Sequence, residues 1–236
     1  MNILIGMPCF ANGEITRQAI QSVSNCDLLL IDNGAEPSVK EVIKNFKATI
    51  IKNENNIYVN PAWNQIIKWF LQNSKYDYLV IFSSDVVMQK NWLEILKNRW
   101  AVNPDEICIP TLTPDINYLN FDLPTSIQKN EVVESGTPGF FITLNKKQAK
   151  IIYPIPEQCK LWFGDEWIYT ILRNLGYKTH VISNFLAYHY WSTGVSVTPN
   201  VSAIIENDKI EWIKQKDKMD STISYWKTGR NFKLHI

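Results

Sequence analysis

Long apolar runs, a basic leader and closely spaced cysteines are all missing from the 236-residue sequence. Without a long apolar run, no segment is expected to span a membrane. Without a basic region followed by an apolar stretch, no signal peptide is expected. The cysteines Cys9, Cys26, Cys108 and Cys159 are widely scattered, which is typical of reduced thiols rather than a metal site. We therefore expect a cytoplasmic protein.

Strong charge of one sign is also missing, because the formal net charge is +1. A basic field that would attract nucleic acid or an anionic membrane is therefore not expected. Aromatic residues, by contrast, are abundant, with 9 tryptophans and 10 tyrosines. Such residues suit a large core, but they also suit the faces of sugars and bases.

The most informative stretch is an apolar strand followed by polar residues. Tyr78–Phe82 is an unbroken run of β-forming residues, which predicts a strand buried on both faces. Ser83, Ser84 and Asp85 follow it directly. A carboxylate at the carboxyl end of a central strand lies where open α/β sheets bind ligands. The alternative is that Asp85 only begins a turn.

Strands and amphipathic helices alternate through the first hundred residues. This alternation predicts an α/β fold with a mainly parallel central sheet and helices on both faces. The predicted strands are 3–7, 28–31, 48–51 and 78–82. The first two predicted helices are 14–23 and 37–46. A third helix is expected to begin at an Asn60 cap, and a fourth contains Leu93 to Trp100.

The second half is less regular. Residues 111–137 are predicted as loop, and residues 187–194 as an aromatic-rich turn. Strands are predicted at 107–110, 140–143 and 179–182, and helices after Asn145, after Glu166 and over 206–218.

Four short motifs carry a resemblance to a known family. They are Pro8 at the end of the first strand, the acidic turn Ile31–Gly34, the helix start Asn60–Asn64, and Ser83–Val87. Together they resemble family 2 glycosyltransferases of the GT-A fold. The similarity extends over nearly the whole chain, to Trp92–Leu93, Gly164–Glu166, Gly176–Tyr177, His189 and the tail Tyr225–Gly229.

The resemblance implies one domain over 1–236, with a Rossmann-like nucleotide-sugar-binding half (1–100), an acceptor and catalytic half (101–200), and a helical C-terminal lid or tail (201–236). It also implies transfer of a sugar from a nucleoside diphosphate sugar, most often a UDP-sugar, to an unidentified acceptor.

Donor-binding roles follow from the resemblance. Asp32 would accept hydrogen bonds from a base or ribose, although it can also be a plain turn carboxylate. Asn64 would steady the Asp85 loop, and Lys227 would reach the diphosphate when the tail closes. The remaining donor-binding candidates are Pro8, Cys9, Phe10, Ser84 and Asp85.

A divalent metal, Mn²⁺ or Mg²⁺, is the implied cofactor. Asp85 would bind it and His189 would supply a further ligand, which neutralises charge on the departing diphosphate. The position two residues after Asp85 is Val87 rather than a second carboxylate. Weak or absent metal binding therefore stays open, and His189 can instead be a core or surface histidine.

An inverting transfer needs a general base for the acceptor hydroxyl. Counted back from Gly176–Tyr177, Asp165 lies where the family has its base, with Glu166 as the substitute. A carboxylate in the first turn of a helix is also favoured by the helix dipole alone. Trp162 and Trp167 would hold sugar faces, or would belong to the core.

Three other interpretations stay open. A nucleotidyltransferase also uses acidic residues on an α/β sheet, but Met7–Gly13 has no basic residue for a phosphate loop. A sugar-binding module that has lost its chemistry is compatible with Val87. Glycosylation of bases in DNA is a minor option that the net charge does not support.

Overall fold

A computed structural model describes residues 1–120, 123–126, 132–133, 138–191 and 193–228. Helices and strands of the first half fall close to the predicted ranges. One short strand, β5, was not predicted. The elements are β1 (Ile3–Cys9), α1 (Gly13–Val23), β2 (Asp27–Asn33), α2 (Pro37–Lys44), β3 (Thr49–Asn53), α3 (Val59–Gln72), β4 (Tyr78–Phe82), β5 (Val86–Met88) and α4 (Trp92–Val102).

The second half departs further from prediction. The last strand extends to His189, into the stretch 187–194 predicted as an aromatic turn, and the C-terminal helix is 28 residues long. The elements are β6 (Ile107–Leu112), a 3₁₀ helix (Ile116–Asn120), β7 (Val132–Val133), β8 (Phe141–Asn145), α5 (Lys146–Ile152), α6 (Gly164–Asn174), β9 (Thr179–His189), α7 (Thr193–Ser196) and α8 (Val201–Thr228). Within the described ranges, no helix combines the length and apolar character needed to cross a bilayer.

Two sheets organise the described part of the fold. The larger has the order β3-β2-β1-β4-β8, and the second has the order β5-β9-β6 with β7 also paired to β9. In the larger sheet only the β4–β8 pairing is antiparallel. One core cluster joins α1, α2 and α4 to the sheet and another joins α3, α5 and α6. The predicted α/β architecture, a mainly parallel sheet with helices on both faces, is therefore confirmed.

The parallel strands set the position of the polar residues that follow them. In the ladders, Pro8 pairs with Ile31 and Gly6 pairs with Ile81. The carboxyl ends of β1, β2 and β4 therefore meet at one edge of the sheet, which is where open α/β sheets bind ligands. Ser83 follows β4 at this edge, and its amide donates to the carbonyl of Phe140 at 3.0 Å.

Gly6 allows α3 to lie directly on β1. A Cβ at this position would be 2.2 Å from Cγ2 of Ile66, which is fully buried. Overpacking of this kind costs about 1–3 kcal/mol. We therefore expect Gly6→Ala to lower the free energy of unfolding, measured by denaturant titration. The cost should shrink in an Ile66→Ala background, and equal costs in both backgrounds would contradict the proposed contact.

Candidate active site

A cavity of about 780 Å³ opens at the carboxyl ends of β1 and β4, beside the second sheet. It is bounded by residues from both halves of the chain. The predicted site residues that line it are Pro8, Phe10, Ser84, Asp85, Trp162, Asp165 and His189.

Asp85 and His189 form a pair at this cavity. The antiparallel β5–β9 ladder places Val86 opposite His189. As a result, Nε2 of His189 lies 3.2 Å from Oδ1 of Asp85. The hydroxyl of Ser83 donates to the same oxygen at 2.5 Å. His189 is therefore paired with Asp85 at the cavity rather than isolated in the core.

The donor atoms of this pair fit a divalent cation. One carboxylate and one imidazole nitrogen, completed by diphosphate oxygens, are a suitable ligand set for Mn²⁺ or Mg²⁺. Among the described residues no group of three or more His, Cys, Asp or Glu side chains could hold a metal by itself. Nδ1 of His189 is buried and has no hydrogen-bond partner within the described ranges, so the ring is held by its contacts rather than by a second hydrogen bond.

Val87 lies outside this ligand set. It pairs with Tyr188 in the β5–β9 ladder and does not line the cavity. Ser83, two residues before Asp85, does line the cavity and contacts the carboxylate. A carboxylate at position 87 would therefore not have joined Asp85 at the cavity.

Asp165 lines the cavity from the first turn of α6. The chain enters this helix through Phe163, which has a left-handed backbone with φ 66°. Burial raises the pKa of Asp165 to about 6, against the lowering effect of its hydrogen bond from the Glu166 amide at 2.9 Å. Burial therefore outweighs the stabilisation of charge at the helix N-terminus. A carboxyl with this pKa can accept a proton near neutral pH.

Glu166 and Trp167 do not share this environment. Glu166 does not line the cavity, and its Oε1 accepts from the Thr170 hydroxyl at 3.3 Å. Trp167 is 1% exposed, and its indole donates to the Ile152 carbonyl at 2.9 Å. The prediction that Trp167 holds a sugar is therefore wrong, and its core alternative holds. The prediction of Glu166 as substitute base has no support from this geometry.

Two of the predicted donor-binding residues, Cys9 and Asp32, do not line the cavity. Cys9 is fully buried, with its thiol directed to the Met7 carbonyl. Asp32 is buried and accepts from the Ala35 amide at 3.0 Å, as a turn carboxylate does. Neither lines the cavity, whereas Asn33 does. Successive strand residues point to opposite faces, so the neighbours of these residues are the ones presented to the cavity.

Asn64 and Lys227 also differ from prediction. Asn64 donates to and accepts from the backbone of Ile155 at 2.8 and 2.9 Å, so it steadies that segment and not the Asp85 loop. Lys227 is exposed in the last turn of α8 and does not line the cavity. Gly229 of the predicted tail, and most of the predicted acceptor loop 111–137 beyond Asn120, lie outside the described residues.

The prediction missed an asparagine network beside the cavity. Asn33 donates to Asn56 at 2.9 Å and accepts from the Ile57 amide at 3.2 Å, which fixes the loop before α3. Tyr58, at the end of this loop, has φ 69° and lines the cavity. The density of asparagines between 53 and 60 was the available sequence signal.

Trp191 was also missed. It is 66% exposed, lines the cavity, and its ring lies 4.6 Å from that of His189. The aromatic run after Ala187 contained the signal, but it was interpreted as a turn.

Comparisons with known proteins identify the family and the fold. The model of glycosyl transferase family 2 matches residues 4–158. No curated protein matches the chain. Among solved structures, GalNAc-T7 with UDP, GalNAc and Mn²⁺ is 12% identical with a TM-score of 0.63, covering 80% of this chain and 44% of that one. This chain thus spans less than half of the GalNAc-T7 chain.

The TarS protein of S. aureus, residues 1–349, is similar over more of its length. It is 13% identical with a TM-score of 0.61, covering 100% of this chain and 75% of that one. Its complex with UDP is 12% identical with a TM-score of 0.61, covering 96% of this chain and 70% of that one. At these identities the likeness shows the fold.

The family match bears on the interpretations left open by the sequence. It covers the strands and helices that supply Pro8, Asn33 and Asp85 to the cavity. It supports glycosyl transfer over nucleotidyl transfer. The chain belongs to glycosyl transferase family 2 and is a glycosyltransferase of the GT-A fold.

Proposed function

We propose that the enzyme transfers a sugar from a UDP-sugar to an acceptor hydroxyl, with inversion at the anomeric carbon. The observation that supports this most is the joint position of Asp165 and the Asp85–His189 pair around one cavity. One carboxyl has a pKa suited to a base, and the pair has donors suited to a cation. We further propose that the halves 1–100 and 101–200 serve donor and acceptor respectively.

On the donor side, Asp85 and His189 would hold Mn²⁺ or Mg²⁺ against the two phosphates. Such a cation neutralises the charge that builds on a departing diphosphate. Pro8 and Phe10 would contact the nucleoside, and Ser84 the phosphates, because all three line the cavity near Asp85. The choice of UDP is supported by the solved GalNAc-T7 and TarS complexes, both of which contain it.

On the acceptor side, Asp165 takes the proton of the acceptor hydroxyl. The hydroxyl oxygen forms a bond to the anomeric carbon while the bond from that carbon to the diphosphate oxygen breaks. Trp162 is 50% exposed beside this base, and its ring suits the apolar face of a sugar. The products are the glycosylated acceptor and UDP.

Calorimetry tests the donor assignment. UDP, GDP, CDP and their sugars are titrated into the protein with Mn²⁺ and again with a chelator. We expect UDP and a UDP-sugar to bind at least about tenfold more tightly with Mn²⁺, since the phosphates then share the cation with Asp85. Folded protein that binds none of these nucleotides would contradict the proposal. Tighter binding of GDP or CDP would replace the assignment of uridine.

A further inference from the structure

The segment 159–162 leads directly into the turn at Phe163 and the helix that carries Asp165. Leu161 and Trp162 of this segment line the cavity. The segment has no regular secondary structure, so its backbone groups need partners from elsewhere. Two side chains, Asp208 and Asn60, supply most of them.

Asp208 of α8 binds three consecutive amides of this segment. Its Oδ1 accepts from Lys160 at 2.8 Å, and its Oδ2 accepts from Leu161 at 2.7 Å and from Trp162 at 2.9 Å. The residue is 0% exposed. Burying a carboxylate is costly unless hydrogen bonds compensate, and bonds from N–H groups to a charged acceptor are stronger than neutral ones.

Asn60 of α3 holds the carbonyls of the same segment. Its Nδ2 donates to Trp162 at 3.0 Å and also to Cys159. The amides of Val59 and Asn60 both donate to the Lys160 carbonyl at 3.0 Å. The predicted role of Asn60 as a helix cap is wrong, because α3 begins at Val59 and the side chain crosses to this segment instead.

Two further contacts extend this arrangement toward the base. The Phe163 ring stacks on Trp212 of α8, with centroids 5.2 Å apart and 7° between planes. A Cβ at Gly164 would lie 2.1 Å from Oδ1 of Asn60, so only glycine fits at the start of α6. Each residue from Lys160 to Gly164 is thus held by a hydrogen bond, a ring contact or a close approach.

We propose that Asp208 is a positioning residue for glycosyl transfer. By holding the segment 159–162 from α8, it sets Trp162 at the cavity wall and fixes the start of α6, which carries Asp165. This inference rests on the proposed function, in which Asp165 is the base. A purely structural Asp208 would anchor α8 and affect stability alone.

The test is Asp208→Asn, which keeps the size of the side chain but turns an N–H₂ group toward amides that donate. We expect the amides of Lys160, Leu161 and Trp162 to exchange with deuterium about tenfold faster or more. We also expect kcat for UDP-sugar turnover to fall about tenfold or more, since small misplacements of reacting groups are costly. The Kd for UDP with Mn²⁺ should change by less than about twofold, because the Asp85–His189 pair is untouched.

Ile223→Ala is the matched control. Ile223 also lies on α8 and is 9% exposed in the core, but it makes no hydrogen bond to the segment. It should lower the melting temperature while leaving kcat and the exchange of the three amides unchanged. If Asp208→Asn does not fold, Asp208→Glu replaces it, because the longer side chain displaces both oxygens and the same loss of kcat is expected.

If the wild-type enzyme is active, three outcomes would overturn the inference. One is unchanged exchange of the three amides in the Asp208 variant. The second is faster exchange with unchanged kcat, and the third is an equal loss of kcat in Ile223→Ala. A wild-type protein that turns over no nucleotide sugar would refute the proposed function, and the positioning role with it. Amide exchange needs no donor, so it would still show separately whether Asp208 holds the segment.

Discussion

Replacement of Asp165 by asparagine is expected to lower kcat for sugar transfer by a factor of about 10²–10⁴, the range that a general base contributes. Asparagine has a similar shape but cannot take the acceptor proton. The Kd for UDP with Mn²⁺ should stay the same, because the proposed cation ligands Asp85 and His189 are unchanged in this variant. The measurement is release of UDP from a UDP-sugar, compared with calorimetry on the same variant.

The stability of this variant distinguishes lost chemistry from lost structure. The folded-state pKa of Asp165, about 6, lies above its unfolded value of 3.8, so the folded protein binds the proton more tightly. Ionised Asp165 therefore lowers the free energy of unfolding. This cost is absent below pH 3.8, builds between pH 3.8 and about 6, and is complete above pH 6. Asparagine removes it. At pH 8 we expect the variant to have the same melting temperature as the wild type or a higher one. A clearly lower melting temperature would indicate that the substitution disrupts the fold.

The same pKa predicts the pH dependence of the wild-type enzyme. The value of kcat/KM should rise about tenfold per pH unit below pH 6 and level off above it, as Asp165 becomes ionised. Glu166 and Tyr169 are the titratable neighbours on α6, and Tyr169 is fully buried with its pKa raised by that burial. Glu166→Gln is the matched control, since Glu166 does not line the cavity. It should keep the rate, with the inflection moved slightly to lower pH, because the Glu166 charge adds to the raised pKa of Asp165. A rate as low as that of Asp165→Asn would reassign the base.

The sequence was sufficient for features that depend on local pattern. Alternating strands and helices imply parallel strands, and parallel strands bring their carboxyl ends to one edge. This reasoning placed Asp85 at a ligand-binding edge, and the family resemblance added Pro8 to the same site, before any contact was known. It also located Asp165 near the start of a helix, where the apolar spacing of α6 is strong.

The sequence was not sufficient to predict which side of a strand a given residue faces, or which residues far apart in the chain come into contact. Asp32 and Asn33 are adjacent in β2, and only the strand's orientation decides which of them reaches the cavity. The resemblance put His189 and Asp85 at one metal, but the strand that joins them, β5, has only three residues and carries too little pattern to predict. Asp208 gave no signal, because a carboxylate on a polar helix is ordinarily exposed.

Replacement of Asp85 by asparagine is expected to remove the dependence of UDP binding on Mn²⁺. Asparagine can keep the hydrogen bond from Ser83 but lacks the charge that holds a cation against a diphosphate. The loss in affinity for the UDP–Mn²⁺ pair should exceed the roughly 10–100-fold that removing an outer partner costs a metal site. Calorimetry with and without Mn²⁺ measures this difference directly.

Asp220→Asn controls for the change in net charge, because Asp220 is exposed on α8 and does not line the cavity. It should bind UDP as the wild type does, with the same gain from Mn²⁺. His189→Ala should reduce that gain without abolishing it, since Asp85 remains as a ligand. An Asp85→Asn protein that keeps the full gain from Mn²⁺ would mean that the cation is held elsewhere. The Asp85–His189 pair would then be a structural contact between the turn after β4 and strand β9 rather than a ligand set.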